Sequence, residues 1–260
     1  AGVISMNIGL FAGCHTLEHH PRIADAAADL LEHLGIVIER RLLPPATCCG
    51  RREDECGLRK AANDAAGRFV EVFNGCEWVV ATDTSCVAHV RPALYRMLDS
   101  SEAARLRGRT VDVVTFIHDV LRVSEIPWSR FEGNVVMPYA CDIACPREET
   151  PRGIRGPWRA KAITLLNSIP TVRVIDFQQR QDDCCGFGWI ANRREPENAH
   201  ASADRLFQRL CDSGADYIVS AESTCVDQLA ASARRHASTI RCVHILDLLW
   251  QVPSLDDAST

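Results

Sequence analysis

The chain has 260 residues, 47% of them hydrophobic and 24% charged, which suits one large domain or two of about 125 residues. Its 29 Lys and Arg against 34 Asp and Glu give a formal charge of −5 with no basic block, which argues against nucleic acid as the main partner. No apolar run approaches the roughly 20 residues that span a bilayer, and no basic and apolar leader opens the chain, so a cytoplasmic protein without a membrane span is expected.

The first apolar strand, MNIGLFAGC, runs from Met6 straight into Cys14. A helix follows on the spacing of Ile23, Ala27, Leu30, Leu31 and Leu34, then a second strand over Val37–Leu43. The loop TCCG (Thr47–Gly50) leads into a helix over Leu58–Phe73. Next comes GCEWVVATDTSCVAHV (Gly75–Val90), a short strand and then a cysteine opening a helix. The tail TFIHDVL (Thr115–Leu121) precedes a join at Val123–Asn134, which contains Pro127 and Gly133.

The same order then recurs. NVVMPYAC ends at Cys141, a strand covers Thr171–Phe177, and QDDCCGFGWIA (Gln181–Ala191) carries a second CCG. A helix over Glu197–Cys211, the passage GADYIVSAESTCVDQL (Gly214–Leu229) and the tail HILDLL (His244–Leu249) complete it. The two passages after the CCG helices align without a gap. The expected fold is α/β, a tandem duplication of a Rossmann-like unit, with residues 1–125 and 126–260 as its two domains. Each unit has a parallel sheet with cysteine-bearing loops at the strand carboxyl ends.

Thirteen cysteines stand out. With no secretion signal and a full apolar complement, a reducing compartment and metal or redox chemistry are expected rather than a disulfide scaffold. Eight cysteines repeat: Cys14, Cys48, Cys49 and Cys86, then Cys141, Cys184, Cys185 and Cys225. Each falls at or just beyond a strand carboxyl end, where open parallel sheets place ligands. Cys76, Cys211 and Cys242 sit in apolar patterns and read as small core residues; Cys56 is unassigned.

Four convergent thiolates suit a tetrahedral zinc or a [4Fe–4S] cluster. Structural zinc usually takes its cysteines from C-x₂₋₄-C turns, whereas adjacent cysteines can reach separate irons of a cluster. Gly50 and Gly186 let backbone N–H groups approach the sulfurs. Asp182 and Asp183, if close, would lower the potential of the second site. Two vicinal disulfides are disfavoured in a reducing compartment, and zinc stays open beside one or two [4Fe–4S] clusters.

A cysteine, a CCG and a later helix-opening cysteine, all duplicated, resemble the cysteine-rich CCG-domain family, which includes a heterodisulfide reductase component and the glycolate oxidase iron–sulfur subunit. Within it, DDCCGFGW, Ser85-Cys86 and Gly214–Cys225 are most similar to the lactate-utilisation A branch. The heterodisulfide branch has a further cysteine at the third station, where this chain has Asp83 and Glu222; four thiols per site and an ordinary cluster are implied. The lactate branch has His-Pro-x-Cys where this chain reads Pro138-Tyr139-Ala140-Cys141, and the extra Cys145 is either a fifth thiol or a non-ligand. The resemblance implies an electron-transfer subunit of an oxidoreductase acting on lactate or another 2-hydroxy acid, with other iron–sulfur and dehydrogenase subunits as partners. A thiol–disulfide redox subunit and a zinc-stapled structural module are the alternatives.

The remaining candidates read mostly as structure. His15, His19 and His20 fit a solvated helix start with Pro21 in its first turn. His118 and His244 fit helix surfaces, and Arg51-Arg52 and Arg193-Arg194 fit solvated faces. His89 lies one turn past Cys86. Phe187 and Trp189 would pack near the second pair. No P-loop, strand-linked dinucleotide fingerprint, G-x-S-x-G or zincin motif is present, so the expected chemistry is the passage of single electrons, and no catalytic residue is assigned.

Overall fold

A computed structural model of the protein describes residues 4–41, 48–97, 100–138, 158–178, 180, 183–188 and 191–250. The first repeat runs β1 (Ile4–Phe11), α1 (Cys14–His19), α2 (Pro21–His33), β2 (Ile36–Arg41), α3 (Arg51–Glu55), α4 (Arg59–Phe73), β3 (Trp78–Ala81), α5 (Thr84–Met97), α6 (Ser101–Arg107), β4 (Thr110–Asp112) and α7 (Val113–Thr115). The last of these widens into a π-helical turn over Phe116–Val120. The second runs β5 (Gly133–Val136), α8 (Trp158–Asn167), β6 (Val172–Ile175), α9 (Ala191–Arg194), α10 (Pro196–Cys211), β7 (Tyr217–Ser220), α11 (Ser223–Arg235), β8 (Arg241–His244) and α12 (Ile245–Leu249).

The repeats build two four-stranded sheets of the same topology, β2-β1-β3-β4 and β6-β5-β7-β8. Every pairing is parallel, in registers such as Phe11 opposite Ala81 and Ser220 opposite His244. The fold is thus the expected α/β duplication. In each sheet the chain steps outward once and then returns past the first strand. The strand order therefore reverses between β1 and β3, and again between β5 and β7. That reversal opens a crevice at the carboxyl ends of those strands.

Helix signals in the sequence explain the layers. Pro21 and Pro196 occupy the first turns of α2 and α10, where a missing N–H costs nothing. The stripe Ile23, Ala27, Leu30 and Leu31 buries one face of α2, and Ala199, Ala203, Leu206 and Leu210 do the same for α10. The two sheets share one continuous apolar core, in which Ile8, Leu30 and Phe116 join Val135, Leu165 and Leu249.

Polar contacts also tie the repeats together. Lys161 and Asp119 form a buried ion pair at 2.8 Å. The Trp158 indole N–H donates to Asp112 at 2.8 Å, and Trp128 donates to the Leu249 carbonyl at 2.9 Å. His244 corrects a sequence expectation: it is 1% exposed, not on a helix surface, and its ring caps α12 in a capping box with Asp247. His118, half-buried, bonds Asp119 at 2.7 Å.

Candidate metal centres

Cys14 opens α1 directly after β1, and Cys86 lies in the first turn of α5 after β3, so the strand reversal sets both at one crevice. The approach is close: a Cβ on Gly13 would stand 3.1 Å from Cys86 Sγ. The pair Cys48-Cys49 enters from the loop before α3. Thiol hydrogen bonds link Cys14 to Cys48, Cys48 to Cys49, and Cys49 to Cys86. All four repeated cysteines of the first half therefore meet.

In the second half the hydrogen bonds run from Cys184 to Cys185 and from Cys185 to Cys225. Cys141 and Cys145 lie outside the described residues, as does Asp182. Asp183 turns to Arg209, whose guanidinium it pairs with, and to the Arg180 N–H at 2.6 Å.

The glycine of each CCG acts alike in the two repeats. Gly50 N–H donates to Cys48 Sγ at 3.3 Å, and Gly186 N–H donates to Cys184 Sγ at 3.4 Å. Both take left-handed backbone, φ 84° and 75°, which glycine adopts without steric cost. Each loop also lies against the longer helix further on, α4 and α10. A Cβ on Gly50 would come 3.1 Å from Ala65 Cβ, and one on Gly186 only 2.2 Å from the Ala199 carbonyl oxygen.

The electrostatics follow from crowding. Hydrogen bonds from Cys14, then from Cys49 and the Gly50 amide, pull the Cys48 thiol well below its ordinary range. Cys14 is pushed up by its hydrogen bond to Cys48, then by burial and the charge of Cys48 and Cys86. Cys49 is pushed up likewise by Cys48, Cys86 and burial. For Cys86 the bond with Cys49 pulls downward, but burial and the Asp83 and Glu222 carboxylates outweigh it. One thiolate forms readily and the rest resist, because each further negative charge would sit beside the first. A bound cation would favour the thiolate at every position, which is what a thiolate-held metal group requires.

Arg51, expected on a solvated face, is 8% exposed and bonds Glu55 at 2.6 Å. Its positive charge lies close enough to be felt at Cys49 in the first half and at Cys184 in the second. Arg52 is exposed, as are Arg193 and Arg194. Among the other cysteines Cys76 is fully buried, Cys211 and Cys242 are half-buried, and Cys56 is exposed. His89 is half-buried on α5.

The repeats interlock beside the thiols. Asp83, just before α5, accepts the Ser223 N–H at 2.8 Å and the Ser223 hydroxyl at 2.7 Å, at the start of α11. Glu222, just before α11, accepts the Ser85 N–H and the Thr84 hydroxyl at the start of α5. Each acid thus caps the helix of the other repeat. Burial tends to raise Asp83, but His244 and the Thr16 and Ser223 hydrogen bonds outweigh it and hold the carboxyl low. Burial, then Asp83, pushes Glu222 up to about 7.

His15 and His20 correct another expectation. Instead of decorating a solvated helix start, both rings turn to Asp227 on α11, at 3.3 and 2.8 Å; His19 is half exposed as expected. Phe187 of the second CCG loop meets His15 edge-on, centroids 5.9 Å apart. Sequence reasoning missed the histidine contacts with α11 because their partners lie more than 200 positions away in the chain.

Among known proteins, lactate utilization protein A of Anoxybacillus flavithermus is 26% identical over 249 residues, covering 94% of this chain and 99% of its own. The Macrococcus caseolyticus protein of that name is 27% identical over 250 residues, covering 94% and 96%. That of Bacillus pumilus is 26% identical, covering 94% and 99%. An ABC transporter system solute-binding protein from Conexibacter woesei aligns with a TM-score of 0.24 and 14% identity, over 90% of this chain and 69% of its own, too slight a likeness to bear on fold or function. The cysteine-rich CCG domain matches twice, at residues 8–91 and 155–230. These two matches take in most of the chain, and it belongs to the CCG cysteine-rich domain family.

Proposed function

We propose that the chain is an iron–sulfur electron-transfer subunit of a multi-subunit oxidoreductase that oxidises lactate or another 2-hydroxy acid. Cys14, Cys48, Cys49 and Cys86 would hold one [4Fe–4S] cluster, and Cys141, Cys184, Cys185 and Cys225 a second. The observation that carries the reading is the mutual hydrogen bonding of four thiols at the first strand reversal, with a CCG glycine amide aimed at sulfur. The lactate assignment rests on relatives named lactate utilization protein A over nearly the whole chain. Other iron–sulfur and dehydrogenase subunits would be its partners.

A bound [4Fe–4S] cluster supplies a one-electron carrier. The protein's own groups set the charge around it. Amide donors at Cys48 and Cys184 stabilise negative charge on sulfur, and buried Arg51 does so for both sites. Asp83 and Glu222 oppose it at Cys86. Among the described residues no helix is long and apolar enough to cross a membrane.

The test is a reductive titration of anaerobically purified protein, followed by visible absorption and electron paramagnetic resonance. Bleaching with about two electrons per chain is expected for two such clusters. A colourless protein that takes up no electrons would refute the relay and leave the CCG loops as zinc clasps.

A further inference from the structure

We propose that His15, His20 and Asp227 form a binding site for one divalent ion of the zinc or ferrous class, apart from the thiol sites, that bridges the two repeats. The three side chains can place one ligand atom each within 4.8 Å of the others. His15 Nε2 stands 3.3 Å from Asp227 Oδ2, and His20 Nε2 stands 2.8 Å from Oδ1. Ligand atoms around tetrahedral zinc lie about 3.3 Å apart, given Zn–N and Zn–O bonds of roughly 2.0–2.2 Å. The His15–Asp227 spacing already matches; the His20–Asp227 pair would open slightly, and the three atoms, all within 4.8 Å of one another, would gather around the ion.

The hydrogen bonds behind His15 point the same way. Ser223 donates its hydroxyl proton to Asp83 Oδ1 at 2.7 Å. Its oxygen is then the acceptor for His15 Nδ1–H at 3.2 Å. That leaves Nε2 as the ring nitrogen turned toward Asp227 Oδ2, the atom through which the ring would ligate an ion. Fixing the distal nitrogen through a hydrogen bond is the usual support for a metal-ligating histidine.

Exposure and symmetry agree. Asp227 is 44% exposed and His20 27%, while His15 is only 13% exposed. An ion would thus be held from inside and remain open to water, so solvent can complete its coordination. The repeat does not impose the arrangement: the position matching Asp227 in the first half is Ala88, two residues after Cys86. The ligands are nitrogen and oxygen and suit zinc or ferrous iron. None of the three ligands is a thiol, so the donor set is the same whether the thiol centres carry clusters or zinc.

Cobalt(II) tests it on the full chain, with iron, sulfide and zinc assayed first so that the thiol sites are accounted for. One further cobalt per chain is expected, with weak ligand-field bands, no sulfur-to-cobalt charge-transfer band, and displacement by zinc. His20→Ala and Asp227→Asn are each expected to weaken that binding at least about tenfold while iron and sulfide content stay unchanged. Failure to bind cobalt beyond the thiol sites would overturn the proposal, leaving a plain histidine–aspartate contact. So would cobalt binding that carries a sulfur charge-transfer band, or that is indifferent to both substitutions.

Discussion

Asp83 and Glu222 hold matching places in the two repeats, and each hydrogen-bonds the first turn of the helix that follows the other. The exchange sets the starts of α5 and α11 against each other, one turn from Cys86 and Cys225. The two acids are not equivalent. Asp83 spreads its bonds over both oxygens, to Ser223, Thr16 and Thr82. Glu222 takes both of its bonds on Oε1, and Oε2 has no hydrogen-bond partner among the described residues.

Asp83→Ala removes a cap and strands buried donors at Ser223 and Thr16. A loss of about 2–4 kcal/mol is expected from the cap and the unsatisfied groups together. Glu222→Ala should cost less, since it also removes a carboxyl that burial and Asp83 disfavour. Urea unfolding of both variants and of the double variant measures the difference and the coupling.

The raised Glu222 carboxyl gives stability a pH dependence of definite sign. Its folded value, about 7, exceeds its ordinary 4.5, so the folded state binds that proton more tightly than the unfolded one. The resulting stability is full below about pH 4.5 and is lost as pH rises through 7, by on the order of 3 kcal/mol in all. Glu222→Gln keeps the Oε1 acceptor and removes the titration. Thermal midpoints between pH 5 and 8 should converge at the acid end, with the variant the more stable at pH 8.

The two CCG glycines should differ in tolerance. Alanine at either costs about 1 kcal/mol or more for left-handed backbone. At Gly50 the new methyl meets Ala65 Cβ at 3.1 Å, a contact that a small shift relieves. At Gly186 it meets the Ala199 carbonyl at 2.2 Å, so loop and helix must part. Gly186→Ala is expected to empty the second site, and Gly50→Ala to weaken the first without emptying it. Iron and sulfide per chain distinguish the two.

Repeated and unrepeated cysteines should separate in the same assay. Cys86→Ser is expected to lower iron by about half, the share of one of two clusters. Cys56→Ser, on an exposed residue, should leave iron unchanged and stability within about 0.5 kcal/mol.

Duplication made most of the fold legible in sequence. Two copies of strand, CCG loop and helix-opening cysteine determined both element order and parallel sheets, and the glycine–sulfur contact followed from residue type. What escaped was the relation between repeats. Asp83 and Glu222 looked like missing cysteines, yet they are interlocking caps. Arg51, His20 and His244 looked like surface residues because local periodicity registers the face of a helix, not what later packs on it. The partner of His20 is Asp227, 207 positions away, and no short-range pattern carries that information.

The most direct measurement is iron, acid-labile sulfide and zinc per chain on anaerobically purified protein. Two sets of four thiols holding [4Fe–4S] clusters call for about eight iron and eight sulfide. About two zinc with no sulfide would contradict the account and reassign both sets of cysteines to structural zinc.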